Sequence, residues 1–317
     1  MTISINMKKL IAYFLLMMVI VSCGRTSEDT IGNQSENIEW IPITWEKDSL
    51  GGKYYDKLGI KIPITINDSI TYLSQFDLGA NTNMLYETTL EDYTSIFNDF
   101  NVDSIGTGES YYWVRNPNIK IGNTPSAVKN WLVRTDYDAE GVIGTIGAEE
   151  LKNRCLIIDF PNNKIAIVDS VQKDYTKQFE FFDFEIVNNK AILTVLINGK
   201  EQKVNFDTGS SITPLFVSDS TFYNEITDIT KGTDTLKEFT SWGTHFDYIA
   251  GAAIKESFII GKKDFGHQMV YYIDSDYHRN LFKQDTIVGL LGSIVFFENE
   301  ILVDFKNQKM GIKVEIK

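Results

Sequence analysis

Two copies of one pattern stand in this chain at a near-constant spacing, and that spacing limits the fold more than any other feature. Gly144-Thr145-Ile146-Gly147 aligns with Gly289-Leu290-Leu291-Gly292, an offset of 145 positions. The offset holds without a gap through Leu156-Ile157-Ile158-Asp159-Phe160 against Ile301-Leu302-Val303-Asp304-Phe305. It continues through Asn162 with Asn307, Lys164 with Lys309 and Ile167 with Ile312. Upstream, Gln75-Phe76-Asp77-Leu78-Gly79-Ala80 matches Asn205-Phe206-Asp207-Thr208-Gly209-Ser210 at an offset of 130, and Met84-Leu85-Tyr86 stands where the later copy has Pro214-Leu215-Phe216. A duplicated unit of this kind folds as two similar lobes. Each lobe then carries one Asp-x-Gly turn, and the two carboxylates can meet. The second half holds about fifteen extra residues between its Asp turn and its Gly pair, expected in surface loops around Asp219–Thr235 or Ser275–Gln284.

Each Asp is delivered by a hairpin. Ile60-Lys61-Ile62-Pro63-Ile64-Thr65-Ile66 alternates with period two, Asn67-Asp68-Ser69 supplies turn residues, and Ile70 to Phe76 returns as a second strand. In the later copy Ile192 to Ile197 leads to Asn198-Gly199, a strong hairpin turn, and Lys203 to Phe206 runs into Asp207. No long amphipathic helical pattern interrupts the strands, although Ala148 to Arg154 has room for two turns, so the fold class is all-β with small helices. Two aromatic clusters follow the Asp turns. Gly106-Thr107-Gly108 leads into Tyr111-Tyr112-Trp113, and Ser241-Trp242-Gly243 leads into Phe246 and Tyr248. Taken singly these aromatics read as core. As a pair they stand where flaps over a cleft belong, which makes Tyr111, Tyr112, Trp113 and Trp242 candidate flap residues.

The 317 residues, 43% hydrophobic with 15 Tyr and 20 Phe, can bury a sizeable core in two lobes. A net charge of −13 argues against nucleic acid or anionic lipid as a partner. Residues 1–22 read as a leader: Lys8-Lys9 is a basic start and Leu10 to Val21 an apolar run too short to span a bilayer, where about 20 residues are needed. Met7 is the more natural start of that leader. Ile20-Val21-Ser22-Cys23 closes it and resembles the lipobox of bacterial lipoproteins, in which the cysteine is acylated; an ordinary secretory signal is the alternative. The lipobox implies a lipid anchor at Cys23 and a place in the bacterial cell envelope, on the outer membrane facing the periplasm or the outside. With Cys23 acylated, Cys155 has no disulfide partner, and its apolar surroundings make it a small buried hydrophobe. The expected organisation is a signal peptide over 1–22, a polar tether over 23–38, one lobe over 39–170, a connection over 171–184 and a second lobe over 185–317.

Phe206-Asp207-Thr208-Gly209-Ser210, followed much later by Leu290-Leu291-Gly292, resembles the aspartic proteases of the pepsin and retropepsin type. The likeness covers both halves, roughly residues 55–317, and the short lobes are closer to retropepsin-like bacterial proteins than to full-length pepsins. It implies two retropepsin-like β-barrel lobes related by a pseudo-twofold axis, with a cleft between them, in a single-chain monomer. It also implies a catalytic pair, Asp77 and Asp207, acting on a peptide or protein substrate with no cofactor. Two carboxylates about 3 Å apart cannot both ionise cheaply, so they share a proton: one activates water and the other donates to the scissile carbonyl. Gly79 and Gly209 let the turns approach, Thr208 braces the opposite lobe, and Ser210 hydrogen-bonds its own Asp. The departure is Leu78, where the family usually has Thr or Ser; leucine cannot form the reciprocal brace. That departure keeps open a catalytically weak or inactive peptide-binding lipoprotein of the same fold, and Asp-Gly turns of purely structural purpose are a third reading.

Other chemistries find little support. His245, His267 and His278 lack metal-ligand spacing and a cysteine companion, so no metal site is expected. No glycine-rich phosphate loop precedes a helix, and Ser210 and Ser211 sit in no nucleophile elbow.

Overall fold

Alternate isoleucines build the first hairpin. Ile60, Ile62, Ile64 and Ile66 are buried on one face of the strand Ile60–Ile66, while Lys61, Pro63 and Thr65 between them remain partly exposed. Asn67 and Asp68 take positive φ angles of 52° and 56°, and with Ser69 they make the three-residue turn between the paired Ile66 and Ile70, from which the chain returns along Ile70–Phe76. These strands belong to a computed structural model that describes residues 38–87, 101–103, 111–135, 137, 139, 141–241 and 243–314. The expected leader over 1–22 and Cys23 lie outside the described residues.

Beyond Asp77 the first lobe follows a distinctive path. Gly144–Ile146 lies parallel to the end of Ile70–Phe76, pairing Ile146 with Phe76, and antiparallel to Met84–Tyr86, pairing Gly144 with Leu85. The Asp turn is thereby clasped between two strands with a third threaded between them. Met84–Tyr86 is followed in the sheet by Asn130–Arg134 and then Tyr111–Arg115.

The second lobe repeats every step. Lys190–Ile197 and Lys200–Asp207 form a hairpin around Asn198 and Gly199, both at positive φ. Gly289–Gly292 pairs parallel to Lys200–Asp207 and antiparallel to Leu215–Val217, which is flanked by Met269–Tyr272 and then by the long hairpin Thr227–Ser241/Thr244–Ile254. At the strand crossings there is no room for side chains. A Cβ on Gly292 would stand 2.0 Å from the Thr213 carbonyl oxygen, and one on Gly147 2.4 Å from that of Thr82.

The lobes share a sheet. Cys155–Asp159 pairs antiparallel to Glu300–Asp304, and Ile157 lies opposite Leu302, its own counterpart at the 145-residue offset. A register centred on equivalent residues is what a local twofold axis produces. Lys164–Val168, Lys309–Lys313, Ile41–Pro42 and Phe179–Val187 extend this sheet outward. Cys155 is buried and free within it, and burial beside Asp304 pushes its thiol up to about 12, so it is no nucleophile.

Two expectations change. The span 171–184 is more than a connection: it holds the short helix Lys173–Thr176 and the first half of the strand Phe179–Val187, whose Phe179 packs with Ile157 and Leu302. The stretches expected as surface loops are regular. Ser220–Ile226 is a helix capped by the Asp219 carboxylate, which accepts from the Phe222 amide at 2.9 Å, and it runs directly into the strand Thr227–Ser241. Asp276–Asp285 is a helix that buries His278, Phe282 and Asp285.

Candidate active site

Asp77 follows the end of Ile70–Phe76 and Asp207 is the last residue of Lys200–Asp207; each opens a tight turn, and the two turns face each other with matching contacts. Asp77 accepts from the Gly79 amide at 2.8 Å and the Ala80 amide at 3.2 Å. Asp207 accepts from the Gly209 amide at 2.8 Å. A Cβ on Gly79 would lie 2.5 Å from Cγ of Asp207, and a Cβ on Gly209 would lie 2.6 Å from Cγ of Asp77. Each glycine therefore floors the opposite carboxyl, and only hydrogen fits there.

Burial differs between the two. Asp207 is 4% exposed, whereas Asp77 is half-buried. Burial, then the neighbouring Asp77 charge and a hydrogen bond between the two carboxyls, raise the Asp207 pKa well above the ordinary carboxylate value. Burial and the facing carboxyl thus oppose ionisation of Asp207.

Thr208 and Leu78 occupy equivalent positions and do different work. The Thr208 hydroxyl accepts from the Leu78 amide at 2.9 Å and donates to the Phe76 carbonyl at 2.9 Å, spanning the lobes from inside. Leu78 offers no hydroxyl in return. Its side chain is instead fully buried in the core. Burying a leucine contributes about 1.5–3 kcal/mol, comparable with the roughly 1–3 kcal/mol that an unsatisfied partner of the missing hydroxyl would cost. The substitution therefore costs the fold little and leaves the brace on Thr208 alone. Thr208→Val should destabilise the protein by about 2–6 kcal/mol in urea unfolding, since it orphans two buried backbone groups. Thr208→Ser should stay close to wild type. A loss below about 1 kcal/mol for the valine variant would mean that the hydroxyl braces nothing.

Ser210 departs from its expected bond. Its hydroxyl pairs with that of Thr213, and it is the Ser210 backbone amide that faces Asp207.

A cleft of about 460 Å³ opens over the two carboxyls. The first lobe lines it with Gln75, Met84, Tyr86, Arg134, Tyr137 and Thr145, and the second with Phe216, Phe239 and Leu290 among others. Ser241 and Gly243, at the tip of the long hairpin of the second lobe, also line it. Trp242 lies outside the described residues. Tyr111, Tyr112 and Trp113 are not among the described lining residues, and Tyr112 packs against the core. Residues 104–110, expected as a hairpin tip, also lie outside the described residues.

His278 supports the second wall from behind. Fully buried, it packs against Phe216, Phe246 and Phe282. Its Nδ1 is 2.9 Å from the Ser275 hydroxyl and its Nε2 is 3.1 Å from that of Ser241, which anchors the hairpin tip. Burial lowers its pKa to about 4, so it is neutral through most of the acid range.

The arrangement is two carboxyls presented on facing backbone turns beside a trough. No family model matches the chain, and no curated protein matches it. Among solved structures it is similar to an aspartic proteinase from Irpex lacteus at 11% identity and a TM-score of 0.52, covering 87% of this chain and 97% of that chain. The likeness is one of fold: this chain has the all-β, two-lobed architecture of the aspartic proteinases, at a distant remove in sequence.

Proposed function

We propose that the protein is an aspartic endopeptidase in which Asp77 and Asp207 activate a water for attack on a peptide bond. The observation that carries this reading is the matched pair of turns, each glycine seated under the opposite carboxyl. The burial that opposes ionisation of Asp207 supports giving the proton of the pair to that residue. Asp77 takes a proton from the water as it attacks the carbonyl carbon. Asp207 gives its proton to the carbonyl oxygen, and the tetrahedral species collapses with proton transfer to the leaving amine. The fold likeness supports the same reading, since the similar structure is that of an aspartic proteinase.

The assay is cleavage of an unstructured protein by the purified chain at mildly acid pH, with and without pepstatin. Cleavage that pepstatin stops is the expected result. An intact peptide retained on the protein without cleavage would favour a binding protein of the same fold, the reading that the missing hydroxyl at Leu78 motivates.

We further propose that the chain is held at the bacterial cell envelope through acylated Cys23, with the polar stretch after it as a tether. The run of sequence before that cysteine supports this. Radiolabelled palmitate should enter the wild-type protein and not Cys23→Ser; equal labelling would refute the anchor.

A further inference from the structure

The cleft walls differ in chemistry although one pattern builds both. Tyr86 and Thr145 in the first lobe stand where the second has Phe216 and Leu290. Their hydroxyls hydrogen-bond to each other, a polar pair facing an apolar one. The largest difference is set by strand register. Asn130–Arg134 runs parallel to Met84–Tyr86 with Arg134 opposite Tyr86. In the second lobe Met269–Tyr272 runs parallel to Leu215–Val217 with Tyr271 opposite Phe216. Tyr271 is buried and donates to Asp234, away from the cleft. The equivalent place in the first lobe thus puts a guanidinium on the cleft wall, and among the described lining residues Arg134 is the cation.

Its setting is aromatic. The guanidinium carbon lies 4.9 Å from the centroid of the Tyr137 ring. Tyr86, Tyr137 and Tyr277 line the same cavity, and the Arg134 charge acts on all three phenols against the burial that raises them. A guanidinium set over the Tyr137 ring beside a trough carries the charge and the planar donor geometry that suit a carboxylate. It is set in a protein of net charge −13, whose field repels acidic chains at long range. Selection for an acidic group therefore has to be made locally, inside the cleft.

We propose that Arg134 reads a carboxylate on the bound chain, so that the site prefers peptides carrying an acidic group on the first-lobe side of the Asp pair. The inference rests on the peptidase reading above. The carboxylate has two sources, an Asp or Glu side chain or the free end of the peptide, and the test separates them. Arg134 is a specificity-determining residue, distinct from the reacting carboxyls.

The experiment compares matched fluorogenic peptides with Glu or Gln at positions flanking the cleaved bond, each made as the free acid and as the C-terminal amide. The wild-type chain should show a KM about ten- to a hundredfold lower for Glu than for Gln peptides, the range a charge-assisted pair supplies. In Arg134→Gln that ratio should fall close to one, and Arg134→Lys should retain part of it. A preference that follows the free acid rather than the Glu side chain would assign the carboxylate to the chain end and keep the proposal. If Arg134→Gln weakens Glu and Gln peptides alike, or shifts the pH profile of both, the residue only balances the charge of the Asp pair and the proposal is overturned.

Fluorescence anisotropy of the same peptides on Asp207→Asn protein gives an arm free of turnover. Glu-selective binding without wild-type cleavage would sink the peptidase reading and keep this one. Cleavage without selectivity in either assay would do the reverse.

Discussion

Asp207→Asn is expected to remove peptide cleavage and, at neutral pH, to make the protein more stable than wild type. The activity loss follows from the role proposed for Asp207: a general acid contributes on the order of 10²–10⁴-fold, and an amide cannot deliver a proton to the carbonyl oxygen. The stability gain follows from linkage. Asp207 has a folded pKa well above its unfolded value because burial and the Asp77 charge oppose ionisation. Below the ordinary carboxylate range both states are protonated and the full stability is present. As pH rises past the unfolded pKa, the unfolded chain releases the proton and the folded one keeps it, so the wild type loses up to about 1.4 kcal/mol per pH unit until Asp207 itself ionises. Asparagine carries no such proton, and its amide can still donate to Asp77 as the protonated carboxyl does. The melting-temperature difference between variant and wild type should therefore be largest near pH 7 and shrink towards pH 4. A variant that still cleaves, or one whose stability tracks wild type across that range, would refute the assignment of the shared proton.

The legible part of the chain was what repeats. Period-two alternation exposed the hairpins, and the two offsets exposed the duplicated unit because backbone crossings at Gly147 and Gly292 admit no side chain, which keeps glycine in both copies. The pairing of Ile157 with Leu302 follows from that duplication once the lobes meet. Less legible was whatever depends on contacts distant in sequence. Arg134 and Tyr137 carry no local signature; a parallel strand pairing with Met84–Tyr86 brings them to the cleft. The helix Asp276–Asp285 is polar along most of its length, so its pattern reads as a loop. Its usable signal was Ser275, whose hydroxyl takes the capping position ahead of the buried His278 and Phe282. In Phe179–Val187 acids interrupt closely set aromatics, and those charges favoured reading the part up to residue 184 as a connection. Ser210 shows the limit of carrying a role over from a motif: its hydroxyl has a closer partner in Thr213, three residues on, within the same turn.

Gly79→Ala is expected to push the two carboxyls apart, and a compensating variant can show that this is the cause. The added methyl would stand 2.5 Å from Cγ and 2.6 Å from both carboxyl oxygens of Asp207, where ordinary carbon contacts begin near 3.5 Å. Roughly 1 Å of movement must be found between two turns that are held by their own strands and by the Thr208 brace. Overpacking of this kind costs about 1–3 kcal/mol. A displacement of that size between reacting groups lowers turnover by about 10²-fold. Gly209→Ala, its pseudo-twofold mate, should behave alike, because its methyl would stand 2.6 Å from Cγ of Asp77. The three atoms nearest the added methyl all belong to the Asp207 carboxyl, so trimming that carboxyl should relieve the clash. In an Asp207→Ala background, Gly79→Ala should therefore cost less than about 0.5 kcal/mol, and the double-mutant cycle should return nearly the whole single-variant loss as coupling. If the penalty persists in that background, the two turns do not face each other as described, and the case for a working pair of carboxyls falls with it.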